Sequence, residues 1–450
     1  MKEENLIELI QKYDSPGPRY TSYPAVPHWN GLPKKEKWLQ ALNRDFKDGI
    51  DLYIHIPFCQ SLCRYCGCNR LIKRDRSWGR EYVGYLKKEW EIYLRNIEEN
   101  SHQTLKINSI HLGGGTPTFL DPIDLQQLLS LFEPFTSKSF KGAAEIDPRV
   151  TQREHINIFK DFNFTRFSLG VQDFDPEVQK ACGRIQPFEM VEESVSLLRN
   201  AGAKEINFDL IYGLPLQTRD SIKRTIQLVK KLKPETIALY GYAHVPWVAP
   251  AQKLLEKYSI PKGFEKRTLY DYARVELDQM KYKEIGLDHF SLEQTSLWQA
   301  YSEGQLKRNF MGYTTQVSPV TLGLGVSSIS QSPQFFVQNH KDLKKYYDAL
   351  DRGQLPLFHG HTMSDQDLII SRMIQNLFCK GHTQVDTSPY EASFGRLVME
   401  KLIMMNKDGL IEWKNKEMNL TKLGQIFLRN IAMIFDPNLQ SNDQRFSRTV

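Results

Sequence analysis

Alternation of β-rich and helix-patterned runs between residues 51 and 244 predicts an α/β fold: a partial (β/α)6 barrel with an N-terminal arm and a smaller C-terminal helical domain. Three observations carry this. Six short strands fit the interval at roughly 33 residues per unit, the length of a strand-to-strand crossover. Glycines and polar residues recur at the strand ends, where parallel α/β folds collect their active sites. Past about residue 350 the apolar spacing becomes helical. The expected units are an arm over residues 1–45, the barrel with an extension over residues 46–350, and a covering domain over residues 351–450.

The arm contains SPGPRYTSYPAVPHWNGLP, whose prolines exclude regular structure, while Tyr20, Tyr23 and Trp29 offer large areas to bury. An ordered wrapping segment is expected. The strands are DLYIHIP, SIHLGGG, GAAEID, FTRFSLGV, INFDLIYG and TIALYGYAH, with helices such as REYVGYLKKEWEIYLRNIEE and FEMVEESVSLLRNAG between them. The second strand ends in Gly113, Gly114 and Gly115, where missing Cβ atoms let a ligand approach the backbone. A tight strand-to-helix turn would use the same run. The next strands end near Glu145, Gln172 with Asp173, Asp209, and Tyr240 with Tyr242 and His244. A lone carboxylate is commonly a cap or an ion-pair partner, and recurrence at one sheet end is what makes these ligand candidates. Beyond the barrel, DLIISRMIQNLFC, GRLVMEKLIMMNKDGLIEW and EMNLTKLGQIFLRNIAMIF read as helices with a winged-helix flavour. Their positive charge is not gathered on one helix, so a lid over the barrel is expected rather than a nucleic-acid reader.

The most informative loop follows the first strand. Cys59, Cys63, Cys66 and Cys68 stand in CQSLCRYCGC. C-x3-C-x2-C spacing suits three irons of a cubane and leaves the fourth without a protein ligand. A structural zinc site is the alternative, although zinc modules usually pair two C-x2-C turns from separate segments. Six cysteines in 450 residues, with Cys182 and Cys379 remote, are too few and too uneven for a disulfide scaffold. Hydrophobic content of 40% and charged content of 25% are those of an ordinary soluble protein. The N-terminal MKEENLIELIQKYDS has no apolar core, so neither a signal peptide nor a membrane span is expected. A net charge of +6 is too small and too scattered to point to nucleic acid.

The cysteine loop, the glycine run and the six βα units together resemble the radical S-adenosylmethionine superfamily. GPRYTSYP, YIHIPFC, CGCN, GGGTPT, SLGVQDF, DLIYGLP and RNFMGYTTQ, in this order over nearly the whole chain, are similar to the oxygen-independent coproporphyrinogen III dehydrogenase family. That resemblance implies a barrel of the radical SAM type, with a 4Fe-4S cluster on Cys59, Cys63 and Cys66 and S-adenosylmethionine on the open iron. It implies a 5′-deoxyadenosyl radical that takes hydrogen from a propionate of coproporphyrinogen III. Loss of carbon dioxide and an electron then leaves a vinyl group, twice over, giving protoporphyrinogen IX for haem. Tyr53, Tyr65, Gly113 and Glu145 match contacts to the first cofactor, with Ile329 near its adenine. A second S-adenosylmethionine is implied at Gly114, Gly115, Gln172, Arg184, Asp209 and Ala243, and Thr116 is grouped with these cofactor contacts.

Cys68 matches a signature cysteine that does not bind the cluster, its bland role being a small buried hydrophobe. His55, read otherwise as a satisfied core histidine, is expected in the pocket. Arg19, Tyr20 and Arg308 are expected to meet the porphyrinogen, through its carboxylates or its faces. The resemblance leads one to expect a polar residue between Phe310 and Gly312, where this chain has Met311. It also implies a cytoplasmic monomer whose electron donor and acceptor the sequence does not identify. Two further readings stand beside it: a haem-binding chaperone of the same superfamily, or a radical enzyme for another tetrapyrrole. Such chaperones typically lack the RYTSYP arm and the second cysteine of CGC, and a zinc module would have no use for the glycine run.

Overall fold

The computed structural model describes residues 3–101, 103–315, 318–440 and 446–450. Six parallel strands follow in sequence order: β1 (Ile50–Ile56), β2 (Ile107–Gly114), β3 (Thr136–Ile146), β4 (Phe164–Gln172), β5 (Glu205–Tyr212) and β6 (Thr236–Gly241). Period-two alternation gives each strand two different faces. Leu52, Ile54 and Ile56 of β1 are buried in the main apolar core, which also takes in Leu86 and Trp90 of the helix Ser77–Asn100. The alternate residues are polar: Asp51, Tyr53 and His55, with Tyr53 opposite His111 and His55 opposite Gly113 of β2. The barrel interior is therefore not packed with branched apolar side chains, and space remains inside it for ligands.

Short strands extend both edges of this unit. They are β7 (Lys283–Ile285), β8 (His289–Ser291), β9 (Val320–Leu324), β10 (Ile329–Gln331), β11 (Phe335–Asn339) and β12 (Leu357–Thr362). The complete order is β12-β11-β10-β9-β1-β2-β3-β4-β5-β6-β8-β7 in a 12-stranded open sheet. Of these additions only β9 runs parallel to its barrel neighbour, β1, while β8 is antiparallel to β6. Observed β3 begins at Thr136, ahead of the GAAEID run; its first half is mostly exposed and carries no apolar pattern that would reveal it in the sequence. The sheet closes with β12, past residue 350.

Helices Asp365–Lys380 and Ala392–Lys407 follow, as the periodicity predicts. The GLIEW stretch is not helical: Gly409 turns the chain at φ +73 and Ile411–Lys414 enters a small antiparallel sheet with Glu417–Leu420 and His382–Gln384. The arm contains two helices, Glu3–Tyr13 and Lys35–Asp45, around the proline-rich segment. Leu9, Ile10, Tyr13, Tyr20 and Tyr23 join the same core as Ile374, Leu377, Phe378 and Ile431. Arg429 fixes this union by donating to the Gly17 and Pro18 carbonyls. Among the described residues no helix is long and apolar enough to cross a membrane.

Candidate active site

Residues at the carboxyl ends of the parallel strands meet in one cavity of about 380 Å³. The cysteine loop forms one side of it. Phe58–Cys59 and Leu71–Ile72 pair in parallel, with Leu71 N donating to the Pro57 carbonyl at 2.7 Å and Lys73 N to that of Cys59 at 2.9 Å. Both feet of the loop are thus clasped together. Its middle is tied to the helix Pro176–Cys182, where Arg64 N donates to the Cys182 carbonyl at 2.9 Å and Arg64 Nη1 to that of Ala181 at 2.8 Å. Gln252 holds the far side, its Nε2 donating to the Tyr65 and Ala243 carbonyls at 2.8 and 3.1 Å while its Oε1 accepts Val245 N at 2.6 Å.

Cys59, Cys63, Cys66 and Cys68 all line the cavity, and none is in a disulfide. The Arg149 and Arg184 guanidiniums each lie 3.5 Å from Cys63 Sγ. Asp147 bridges them, 2.6 Å from Arg149 Nη2 and 3.1 Å from Arg184 Nη1. Burial raises the Asp147 carboxyl, but the two guanidiniums prevail and hold it down at about 2. Two cations against one carboxylate leave positive charge in excess beside the sulfur. A hydrogen bond from the Cys68 thiol pulls Cys66 down and raises Cys68 itself. Thiols of one loop lining a cavity beside two guanidiniums fit an anionic multi-iron cluster.

The glycine run lies against this loop and against Glu145. Gly115 N donates to the Ile56 carbonyl at 2.8 Å and Thr116 N to that of Phe58 at 2.9 Å. A Cβ on Gly115 would lie 2.6 Å from the Phe58 carbonyl oxygen, and one on Gly113 2.8 Å from Glu145 Oε1. Gly114, at φ +114, donates its N–H to Glu145 Oε2 at 3.1 Å, and His111 Nε2 lies 3.3 Å from Glu145 Oε1. On β5, Asp209 accepts from Ser168 Oγ at 2.8 Å and Asn207 Nδ2 at 2.9 Å, and burial lifts its carboxyl to about 6. Arg184 donates to the Gly170 carbonyl at 2.6 Å.

Most of the sequence-predicted residues come together here. Besides the cysteines, Arg19, Tyr65, Gly114, Gly115, Thr116 and Glu145 line the cavity, as do Gln172, Arg184, Asp209 and Ala243. Tyr53, His55 and Gly113 sit behind that wall. The His55 tautomer follows from its partners: the Asn69 carbonyl 3.0 Å away can only accept, so Nε2 carries the proton and Nδ1 accepts the Tyr53 hydroxyl at 3.0 Å. Burial lowers His55, keeping it neutral. Ile329 begins β10, beyond Gly323, which pairs with Tyr53.

Tyr20 and Arg308 do not reach the cavity. Tyr20 is buried with its ring 6.2 Å from Phe378, and its hydroxyl donates to Asp436 at 3.0 Å. Arg308 is buried over the Tyr313 ring, 3.9 Å from Asp288. Asp173 also turns away, accepting from Thr225 Oγ1 at 2.7 Å and from Gln217. Met311 lines a separate cavity of about 400 Å³ with His111, Ser168 and Asn207. Sequence reading missed Asp147, Arg149 and Gln252. The first two come just after Glu145 in EIDPR, a strand-end signal that was available, whereas Gln252 lies in the short 3-10 helix Pro250–Leu255, which carries no motif.

The chain matches the model of the Radical SAM superfamily over residues 53–229. It is 38% identical to an oxygen-independent coproporphyrinogen III oxidase of Helicobacter pylori over 99% of both chains. Identity to the enzyme of that description from Pseudomonas aeruginosa is 38% over 98% of each, and to that from Escherichia coli 34%, over 99% of this chain and 98% of the other. A solved Escherichia coli structure, described as coproporphyrinogen III oxidase (HemN) and a radical SAM enzyme, aligns with a TM-score of 0.87 and 33% identity, covering 93% of this chain and 97% of that one. Full-length similarity, a shared fold and a three-cysteine loop at the end of β1 agree: the chain belongs to the oxygen-independent coproporphyrinogen III oxidase family of the radical SAM superfamily.

Proposed function

We propose that the chain oxidatively decarboxylates two propionates of coproporphyrinogen III to vinyl groups, giving protoporphyrinogen IX in the oxygen-independent route to haem. One observation carries the reading: the cysteine loop and the strand-end residues line a single cavity in a chain 38% identical over its length to a coproporphyrinogen III oxidase. As a radical SAM enzyme it uses a 4Fe-4S cluster and S-adenosylmethionine, which when bound supply a 5′-deoxyadenosyl radical able to take hydrogen from an unactivated C–H bond.

The chain's own residues hold and orient. Cys59, Cys63 and Cys66 hold the cluster as thiolates, and Arg149 and Arg184 offset its negative charge at Cys63. Glu145, fixed by Gly114 N, presents carboxylate oxygens to the ammonium of the first cofactor. Gly113, Gly115 and Thr116 keep the wall beside it thin, and Tyr65 is positioned through the grip of Gln252 on its carbonyl. Neutral His55 accepts the Tyr53 hydroxyl and so sets that ring, and Ile329 closes the adenine end. The reading includes a second S-adenosylmethionine against Gly114, Gly115, Gln172, Arg184, Asp209 and Ala243. Arg184 Nε, buried without a partner among the described residues, supports a ligand on that side. Arg19 faces the porphyrinogen, with Cys68 near the reacting group, while Tyr20 and Arg308 act from behind by fixing the arm.

The arm and residues 351–450 serve as one cover that excludes water, a role supported by their common core. The enzyme is taken as a cytoplasmic monomer that exchanges electrons with a separate donor and acceptor. Anaerobic reconstitution with iron and sulfide, then incubation with S-adenosylmethionine, a reductant and coproporphyrinogen III, tests the reading by product mass. Loss of two carboxyl groups, abolished in Cys59→Ser, Cys63→Ser or Cys66→Ser, is expected. Formation of 5′-deoxyadenosine without vinyl product would indicate another substrate, and tight haem binding with neither product would indicate a chaperone.

A further inference from the structure

We propose that Lys266, with Arg19 and Arg429, receives propionate carboxylates of the porphyrinogen in a second cavity beside the cluster cavity, an inference that rests on the porphyrinogen reading above. This second space encloses about 740 Å³. Arg19, Gly241, Tyr242 and Ala243 line both cavities, so the two share one wall. Only one propionate at a time can face the radical, and the macrocycle's other carboxylates need cations to receive them.

The charge balance of the wall points to an anion. Its carboxylates are already matched: Asp14 lies 2.6 Å from Arg448, Asp271 pairs with Arg267, and Asp288 lies 2.7 Å from His289. Glu284 accepts the Tyr270 hydroxyl at 2.6 Å. Among the described residues no side-chain carboxylate forms an ion pair with Lys266, Arg19 or Arg429. Their N–H groups go to main-chain oxygens and, for Arg429, also to the Ser447 hydroxyl. Arg19 donates to Gly241 at 2.8 Å, Arg429 to Pro18 at 3.1 Å and Arg448 at 2.7 Å, and Lys266 only to the Val450 oxygen at 3.4 Å. That contact is long, and a substrate carboxylate would replace it. Burial, then the neighbouring arginine charges, press Lys266 down to about 8 and Arg429 to about 9, and Asp14 offsets only part of this.

The rest of the wall suits a macrocycle. The Tyr212 and Tyr270 rings lie 5.2 Å apart, and Lys266 Nζ is 5.5 Å from the Tyr212 ring. Aromatic faces beside unmatched cations match an apolar ring with carboxylates at its edge. Arg429 also stitches the arm to the C-terminal core, so Lys266, on the helix Gly263–Gln279, is the cleaner residue to vary.

The test compares Lys266→Met and Lys266→Arg with the wild type as anaerobic holoenzymes, measuring KM and kcat for coproporphyrinogen III. Quenching of protein fluorescence by coproporphyrin III and by its methyl ester gives affinity without turnover. Lys266→Met is expected to raise KM and Kd by about tenfold or more, to discriminate less between acid and ester, and to melt no lower than wild type. Lys266→Arg restores affinity to within about threefold, since the charge is kept. Unchanged affinity in Lys266→Met, with wild-type turnover intact, overturns this inference alone. A wild type that turns over no porphyrinogen overturns the functional reading as well. If Lys266→Met melts lower, Lys266→Gln decides: weaker binding of coproporphyrin III with unchanged binding of its methyl ester supports the site, and unchanged binding of both overturns it.

Discussion

Substituting alanine for Gly115 asks whether catalysis depends on the backbone contact that seats the cysteine loop. The new Cβ would lie 2.6 Å from the Phe58 carbonyl oxygen and 2.9 Å from the Pro57 carbonyl carbon. These are main-chain atoms that cannot rotate aside. Restoring an ordinary 3.4 Å contact requires the Phe58 carbonyl to retreat by about 0.8 Å. Phe58 immediately precedes Cys59, and the Thr116 N–H that now donates to it at 2.9 Å holds the two segments together, so the shift passes into the loop. Overpacking of this kind costs about 1–3 kcal/mol of stability, whereas misplacement of reacting groups by about 1 Å costs on the order of 100-fold in rate. The variant should therefore fold, retain iron and sulfide, and lose about 100-fold in turnover. Iron content, melting midpoint and initial rate, measured on one anaerobic preparation, separate these effects. Wild-type turnover by a cluster-loaded Gly115→Ala enzyme would refute the reasoning.

Three further outcomes follow from the same geometry. Asp147→Asn leaves Arg149 and Arg184 buried without their carboxylate and should cost about 3–5 kcal/mol in denaturant unfolding of the unloaded chain, a loss under about 1 kcal/mol counting against the network. Gln252→Leu strips partners from the Tyr65 and Ala243 carbonyls and from Val245 N. At about 1–3 kcal/mol for each buried group left unpaired, limited proteolysis should cut faster in the cysteine loop, and an unchanged cleavage rate would deny the staple. Burial raises Asp173 to about 6, so the folded chain binds this proton more tightly than the unfolded chain does. Its contribution to stability is complete below about pH 4 and is lost as pH rises through about 6. The stability gap between wild type and Asp173→Asn should then move in the variant's favour by about 2 kcal/mol from pH 4 to 7, and a flat gap would contradict it.

The parts of the molecule that were legible are those with a repeating physical signature. Strands β1 to β6 announce themselves by apolar runs closed by glycine or a carboxylate, and the cysteine spacing stands out because few chemistries need three thiols on one loop. Strands β7 to β12 went unread because they are short, three of them only three residues long, and gain their order from pairing outward from β1 and β6 and then with one another. Asp147 and Arg149 look locally like a surface pair two residues apart, and only the fold brings Arg184 and Cys63 beside them. Tyr20 offers the same aromatic face to substrate or to core. Its place beside Phe378 and Asp436 depends on the arm folding onto residues far along the chain, which the arm's own residues do not encode.

The central claim, that this cavity directs a radical at a propionate of coproporphyrinogen III, is tested most directly with substrate deuterated on the propionate carbon next to the ring. Incubated anaerobically with the loaded enzyme, S-adenosylmethionine and reductant, it should yield 5′-deoxyadenosine carrying one deuterium for each vinyl group formed. Unlabelled 5′-deoxyadenosine alongside vinyl product, or vinyl product from an enzyme lacking Cys59, Cys63 and Cys66, would contradict it.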